Sequence, residues 1–260
     1  MIKIAHESPL DLFDDVQART DYDYALVHLF EESDEYYYKF LKAVKMGREV
    51  ILDNSIFELG EAFNTEKYYK WIEKLLPEWY IIPDVLENAE RTVKNAKEWQ
   101  HLTGIKSIGV AQGKTYEEMV WCYKEIAPTV DKIAISFDYS FFEDWFSNEK
   151  TKYHKWVKGR QLLLRKMVDD GVIDIKKPHH LLGCGLPQEF AEYRNYNFID
   201  SLDTSNPVMA GIKGIRYNDV SGLEDKPAQK LFTIINNKHS LEQISDVTYN
   251  CYWFRKIVNG

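Results

Sequence analysis

Polar or nucleophilic residues close successive apolar runs of this 260-residue chain: Asp53, Asp84, Gln112, Ser136, Cys184 and Asp203. Carboxylates at such positions permit a division of labour. One is ionised as a nucleophile and another serves as general acid or base, their surroundings separating the two pKa values. A pair of this kind suits chemistry at an anomeric carbon, where one carboxylate traps an oxocarbenium-like centre and a second group handles the proton on the leaving group. A single Asp at the end of an apolar run commonly has a plainer task, capping the next helix or shaping a turn. Three of them together with a glutamine, all at equivalent positions, favour the catalytic reading.

The elements that must position these residues repeat one unit: a short apolar, β-branched run, a polar turn, then helical spacing. The runs are Ile2 to Ala5, Tyr24 to Leu29, Val50 to Asp53, Tyr80 to Asp84, Ile108 to Gln112, Lys132 to Ser136, His180 to Cys184 and Phe198 to Asp203. Between them the spacing predicts helices such as Glu66 to Leu76, Ala89 to Trp99 and Tyr116 to Ile126. Several runs are continuously apolar, as in strands buried on both faces of a parallel sheet. Eight β-α units in residues 1–217 predict an α/β fold, a (β/α)8 TIM barrel slightly smaller than the usual ~250 residues. A doubly wound open sheet is the competing arrangement. In a barrel the ends of all eight runs gather at one mouth, where active sites of this fold are built.

One connection is long, with 43 residues between Ser136 and His180. Residues 137–178 are read as an insertion or lid. Its first part, FDYSFFEDWF, is strongly aromatic, and its second is basic before the helical run Gln161 to Val168. Phe141, Phe142 and Trp145 fit a packing cluster under an extra helix as well as they fit a lid. Residues 218–260, with Pro227 to Ile235 and Leu241 to Val258, are expected to form a helical extension packed on the barrel.

The composition is 45% hydrophobic and 14% aromatic, which excludes collagen-like, low-complexity and disordered classes. No apolar stretch reaches the roughly 18 residues needed to cross a bilayer, so no membrane partner is expected. The three cysteines, Cys122, Cys184 and Cys251, make no CxxC pair, which predicts a reduced, cytoplasmic setting and no cysteine-rich metal site. His6 and His28, with no ligand partners at metal-binding spacing, are expected as hydrogen-bonded barrel positions. The net charge of −8 is local: residues 1–35 hold ten acidic and two basic residues, and the rest of the chain is balanced. From Lys150 to Lys166 there are seven basic residues and no acidic one, interleaved with Tyr153, His154 and Trp156. Lys150, Lys152, Lys155, Lys158 and Arg160 there, with Lys213 and Arg216 after the last run, are candidate phosphate contacts. No GxxxxGK[ST] or GxGxxG segment supports triphosphate or dinucleotide binding.

Five segments in order, Asp53-Asn54-Ser55-Ile56-Phe57, Pro83-Asp84-Val85, Gly109-Val110-Ala111-Gln112-Gly113, His180 to Pro187 (HLLGCGLP) and Asp200 to Pro207 (DSLDTSNP), resemble the motifs of the tRNA-guanine transglycosylases. They are most similar to the short, often phage-encoded relatives that put 7-deazaguanine bases into DNA. The resemblance covers about residues 50 to 207. It implies that Asp203 is the nucleophile that attacks C1′, expels guanine and holds the sugar covalently, and that Asp53 relays the proton between leaving and entering bases. Asp84 and Gln112 match residues that read the base edge, Phe57 the aromatic on which the base stacks, and Gly183 the backbone that approaches the base. Asn54 falls in the floor of the base pocket, where Asn-Ser-Ile stands in place of the family's Ser-Gly-Gly. Only Cys251 follows Asp203, so the family's three-cysteine, one-histidine zinc site is absent and no cofactor is expected.

By this resemblance the chain exchanges guanine in a polynucleotide, DNA in preference to tRNA, for a 7-deazaguanine such as preQ0. A helper protein that opens a duplex is left open. Two alternatives stand beside it: cleavage of a free nucleoside or other glycoside, and a non-catalytic barrel that binds a nucleobase or a protein through the acidic residues 7–35.

Overall fold

The computed structural model describes residues 1–99, 104–227 and 229–260. Among them eight strands form: β1 (Lys3–Ala5), β2 (Asp23–Leu26), β3 (Val50–Asp53), β4 (Trp79–Ile81), β5 (Lys106–Val110), β6 (Lys132–Ile135), β7 (His179–Leu181) and β8 (Ile199–Asp203). They join one sheet in the order β1-β8-β7-β6-β5-β4-β3-β2. Ladders from β2 through β6, and between β1 and β8, are parallel. Parallel strands following sequence order, with helical chain between them, make the (β/α)8 barrel fold. A doubly wound sheet would instead reverse its strand order at a switch point.

The strands are mostly shorter than the apolar runs that predicted them. β4 stops before Pro83, which has no N–H to give to a ladder. β2 stops at Leu26 because Val27 is already helical (φ −60°, ψ −35°), so His28 opens a helix where a strand end was expected. β7 stops ahead of Gly183, whose φ of +63° leaves the extended region.

The helices are α1 (Phe13–Gln17), α2 (His28–Glu32), α3 (Asp34–Lys45), α4 (Ile56–Leu59), α5 (Thr65–Leu75), α6 (Ala89–Trp99), α7 (Tyr116–Ile126), α8 (Phe141–Trp145), α9 (Lys152–Asp169), α10 (Asn206–Ile212) and α11 (Leu241–Asn259). No helix among the described residues is long and apolar enough to cross a membrane.

The chain falls into two compact units. One comprises Tyr22–Ser136 and Met167–His180. Its strands β2, β3 and β6 are buried at every residue, as the continuous apolar runs require. Its helices bury one stripe each: Tyr68, Ile72 and Leu75 on α5, and Met119, Cys122, Tyr123 and Ile126 on α7. Ser33, Asn64 and Thr115 cap α3, α5 and α7, their side chains accepting the N–H groups of Tyr36, Lys67 and Glu118. The Tyr68 hydroxyl ties α5 to the sheet, 2.8 Å from the Leu52 carbonyl and 2.9 Å from that of Ile81.

The other unit comprises Met1–Asp21, Phe137–Lys166 and Leu181–Gly260. Leu12, Val16, Val208, Val247 and Cys251 form a core between the amino-terminal helices, α10 and α11. Gly211 lets α10 meet the α11 backbone, since a Cβ there would stand 2.4 Å from the Val247 nitrogen. Ser240 and Gln243 form a capping box at the start of α11, and Arg194 donates to the Lys256 and Ile257 carbonyls at its end. The expected helix Pro227 to Ile235 reduces to a 3-10 turn at Leu231–Thr233, with Ala228 outside the described residues. The aromatic half of the insertion is a packing cluster. Phe141 and Phe142 are buried, their rings 4.8 Å apart, and Phe142 lies where a Cβ on Gly159 of α9 would be.

Several acids of residues 7–35 are engaged within their own unit. Asp11 holds His239, Asp21 holds Arg255, Asp23 holds Arg48, and Glu31 holds Lys67.

Candidate functional site

Asp53 ends β3, paired in register with Leu26 of β2. Tyr24, two residues back on β2, turns its hydroxyl onto Asp53 Oδ2 at 2.7 Å. The other oxygen, Oδ1, accepts the Ser55 N–H at 2.6 Å. Ser55 is held at φ +62°, a region a residue with a Cβ seldom adopts, and its Oγ accepts the His28 N–H. The chain therefore turns sharply after β3 in a way that aims a backbone donor at the carboxylate.

Asp84 lies three residues beyond β4 and is 2% exposed. Its Oδ1 accepts from Asn54 Nδ2 at 2.7 Å and its Oδ2 from Gln112 Nε2 at 2.6 Å. Asn54 also donates to the Ile82 carbonyl and accepts the Ile56 N–H, while Gln112 Oε1 accepts the Glu87 N–H. Asp84, Asn54 and Gln112 thus form one buried network. Two of the residues expected to meet a base, Asn54 and Gln112, orient a third. Asn54 commits both amide protons to protein acceptors, the Ile82 carbonyl and Asp84. Phe57 sits on α4 with 51% of its surface exposed, so it is not part of the core.

In the other unit Asp203 ends β8 in register with Ala5 and is 5% exposed. The Gly183 N–H donates to its Oδ1 at 3.3 Å. Gly183 needs its positive φ, and a Cβ there would stand 2.6 Å from the Phe137 ring, so no other residue fits without displacement. His6, just past β1, lies 3.0 Å from the Thr204 carbonyl. Burial lowers its pKa to about 4, leaving it neutral at ordinary pH, in keeping with a hydrogen-bonded barrel position. Cys184 is fully buried, and burial pushes its thiol well above the usual range, which disfavours the thiolate a nucleophile needs.

The expected phosphate-binding cations separate. Lys150 and Lys152 are exposed, and Lys152 reaches over the Tyr153 and Trp156 rings at 5.3 and 5.1 Å. Lys155 is half-buried on α9, and Lys158 pairs with Glu149. Lys213 is exposed at the end of α10. Arg216 pairs with Asp246 at 2.6 Å and covers Tyr249. Arg160 is a correction. It is wholly buried, its Nε 2.5 Å from Glu189, its other nitrogens on the carbonyls of Leu182 and Gly183, and it cannot meet a phosphate.

Sequence reading passed over Tyr24 and Glu189. A tyrosine opening an apolar run reads as core, and an acid beyond Pro187 reads as surface. Neither carries a local signal of its partner. Among the described residues no group of three or more His, Cys, Asp or Glu is placed to hold a metal ion. No family model matches the chain, and no curated protein matches it.

Proposed function

We propose that this protein is a base-exchange transglycosylase that replaces guanine in a polynucleotide, DNA in preference to tRNA, with a 7-deazaguanine such as preQ0. The observation that carries the reading is the ordered set of five motifs, whose two assigned reacting carboxylates, Asp53 and Asp203, each end a parallel strand and are each buried and hydrogen-bonded. Buried, oriented carboxylates at the carboxyl ends of barrel strands are the equipment that retaining chemistry at a sugar carbon needs.

In this reading Asp203 attacks C1′ as the bond to guanine N9 breaks, giving an ester between Asp203 and the sugar. The departing guanine takes a proton from Asp53. Asp53 recovers a proton from N9–H of the entering 7-deazaguanine as that nitrogen displaces Asp203, so charge and protons balance and two inversions retain configuration. Asp84, oriented by Asn54 and Gln112, accepts from the N1–H and 2-amino group of the base. Phe57, exposed at the start of α4, supplies the stacking face for a base taken out of its helix. Lys150, Lys152 and Lys155 contribute phosphate contacts.

Incorporation of radiolabelled guanine into DNA and, separately, tRNA tests the reading, with Asp203→Ala beside the wild type. Label in DNA with wild type alone supports it. Label in tRNA alone keeps the chemistry and overturns the choice of polymer, and label in neither overturns the exchange. A free nucleoside is the second reading, favoured by the burial of Arg160, which removes one of seven expected phosphate contacts, and by the ion pairs in which Lys158 and Arg216 already engage carboxylates. It predicts weak polynucleotide binding with little dependence on salt.

A further inference from the structure

Arg160 lies in the middle of α9, inside the insertion, yet none of its surface is exposed. Its guanidinium makes directed contacts within one unit, among them Nε to Glu189 Oε1 at 2.5 Å, one terminal nitrogen to the Leu182 carbonyl at 2.8 Å, and the other to the Gly183 carbonyl at 3.1 Å. Tyr193 holds the same Glu189 oxygen through its hydroxyl at 2.6 Å, so the carboxylate that anchors the guanidinium is itself fixed. The ring of Phe190 packs against the guanidinium, 5.4 Å from its centroid.

Burying a charged pair costs several kcal/mol of desolvation, and an ordinary packing contact does not require it. The return here is geometric. Two carbonyls in succession are pinned just after β7, and the N–H of the second residue, Gly183, is the donor to Asp203 Oδ1. Gly183 has the conformational freedom of a glycine at φ +63°, so without a clamp this peptide is the softest link beside the carboxylate. A planar fork can hold two carbonyls and a carboxylate at once, which a lysine ammonium cannot do with the same directionality.

We infer that Arg160 is a positioning residue for Asp203, acting through the Leu182–Gly183 backbone, with Glu189 and Tyr193 holding the guanidinium in place. Its catalytic consequence rests on the transglycosylase reading. Its structural content does not. The insertion thereby bears on the proposed nucleophile through a buried arginine, in addition to any polymer contact made by its exposed lysines.

The test pairs two readouts on the full chain. Arg160→Lys keeps the charge opposite Glu189 and loses the fork. Arg160→Gln combined with Glu189→Gln removes both charges together, which spares the core an unpaired ion if the first variant fails to fold. Hydrogen exchange at the Gly183 amide, followed by NMR, is expected to speed up roughly tenfold in either folded variant, with the β8 amides still protected. In the base-exchange assay kcat is expected to fall about 10- to 100-fold with KM unchanged, the signature of a misplaced reacting group. Gly183 exchange equal to wild type in a folded variant overturns the inference, and so does a loosened Gly183 with kcat unchanged. If wild type exchanges no base into any polymer, the transglycosylase reading fails by itself, and Gly183 exchange alone decides whether Arg160 positions this backbone.

Discussion

The Tyr24 hydroxyl donates to Asp53 Oδ2 at 2.7 Å from the neighbouring strand, while the Ser55 N–H occupies the other oxygen at 2.6 Å. Each carboxylate oxygen therefore has a fixed donor, one from a side chain and one from a strained turn. Removing the hydroxyl with Tyr24→Phe leaves the ring in place and withdraws a donor from a buried carboxyl oxygen. The expected cost is about 1–3 kcal/mol of folding stability, read by urea unfolding. Base exchange should fall with it in kcat, because the proton relay loses its orientation. Unchanged stability and turnover would mean that the contact is incidental.

Gln112 stands with its amide nitrogen 2.6 Å from Asp84. Gln112→Glu puts a second carboxylate there, and two such groups at this distance cannot both ionise, so one folded-state pKa is raised. The folded state then holds a proton that the unfolded chain has released. Stability of the variant relative to wild type should accordingly decline as pH rises from about 4 toward 8, in denaturant midpoints taken at several pH values. A constant offset across that range would show that Asp84 and residue 112 do not share a site.

His6 gives a prediction of the opposite sign. Its folded pKa is lowered to about 4, chiefly by burial, against an ordinary value of 6.5. The unfolded chain takes up a proton between those values that the folded chain refuses. The contribution of neutral His6 is therefore complete above pH 6.5 and is lost as pH falls through the window to about 4, amounting to roughly 3 kcal/mol at most. His6→Gln should flatten this part of the stability profile. Parallel profiles for the two proteins would contradict the assignment.

Gly159 on α9 has Phe142 where a Cβ would be, 2.2 Å from its nearest ring carbon. Gly159→Ala should destabilise the protein by about 1–3 kcal/mol through overpacking, measured by thermal or urea unfolding. A freely moving lid would absorb the added methyl at no cost, so a neutral result would reopen the lid reading of residues 137–178.

The fold was legible because its signal is repetitive. Eight apolar runs separated by helical spacing leave little choice of architecture, and Ala89–Trp99 and Tyr116–Ile126 have the bounds that spacing predicts. Strand ends were less legible, since apolar residues such as Val27 and Ile82 continue past the ladder and hydrophobicity does not mark where backbone pairing stops. Among the candidate residues, Asp53 of one unit and Asp203 of the other could be picked out because a carboxylate ending an apolar run is unusual. Their partners could not. Tyr24 is 29 residues from Asp53, and Arg160 is 29 from Glu189, and nothing in local spacing couples them. The same blindness made Arg160 look like one more basic residue of an exposed stretch. Its helix turns it inward while Lys152 and Lys158 face solvent, a difference that periodicity alone leaves ambiguous in a helix with apolar residues on more than one side.

The central claim is an ester between Asp203 and a sugar carbon. Incubation with guanine-containing DNA oligonucleotides, single- and double-stranded, followed by denaturing electrophoresis and peptide mass spectrometry, tests it most directly. The account predicts a denaturant-resistant protein–DNA adduct that maps to the peptide bearing Asp203, disappears in Asp203→Asn, and is discharged by a 7-deazaguanine base with the new base appearing in the DNA. An adduct on another residue, or base exchange that persists in Asp203→Asn, would contradict it.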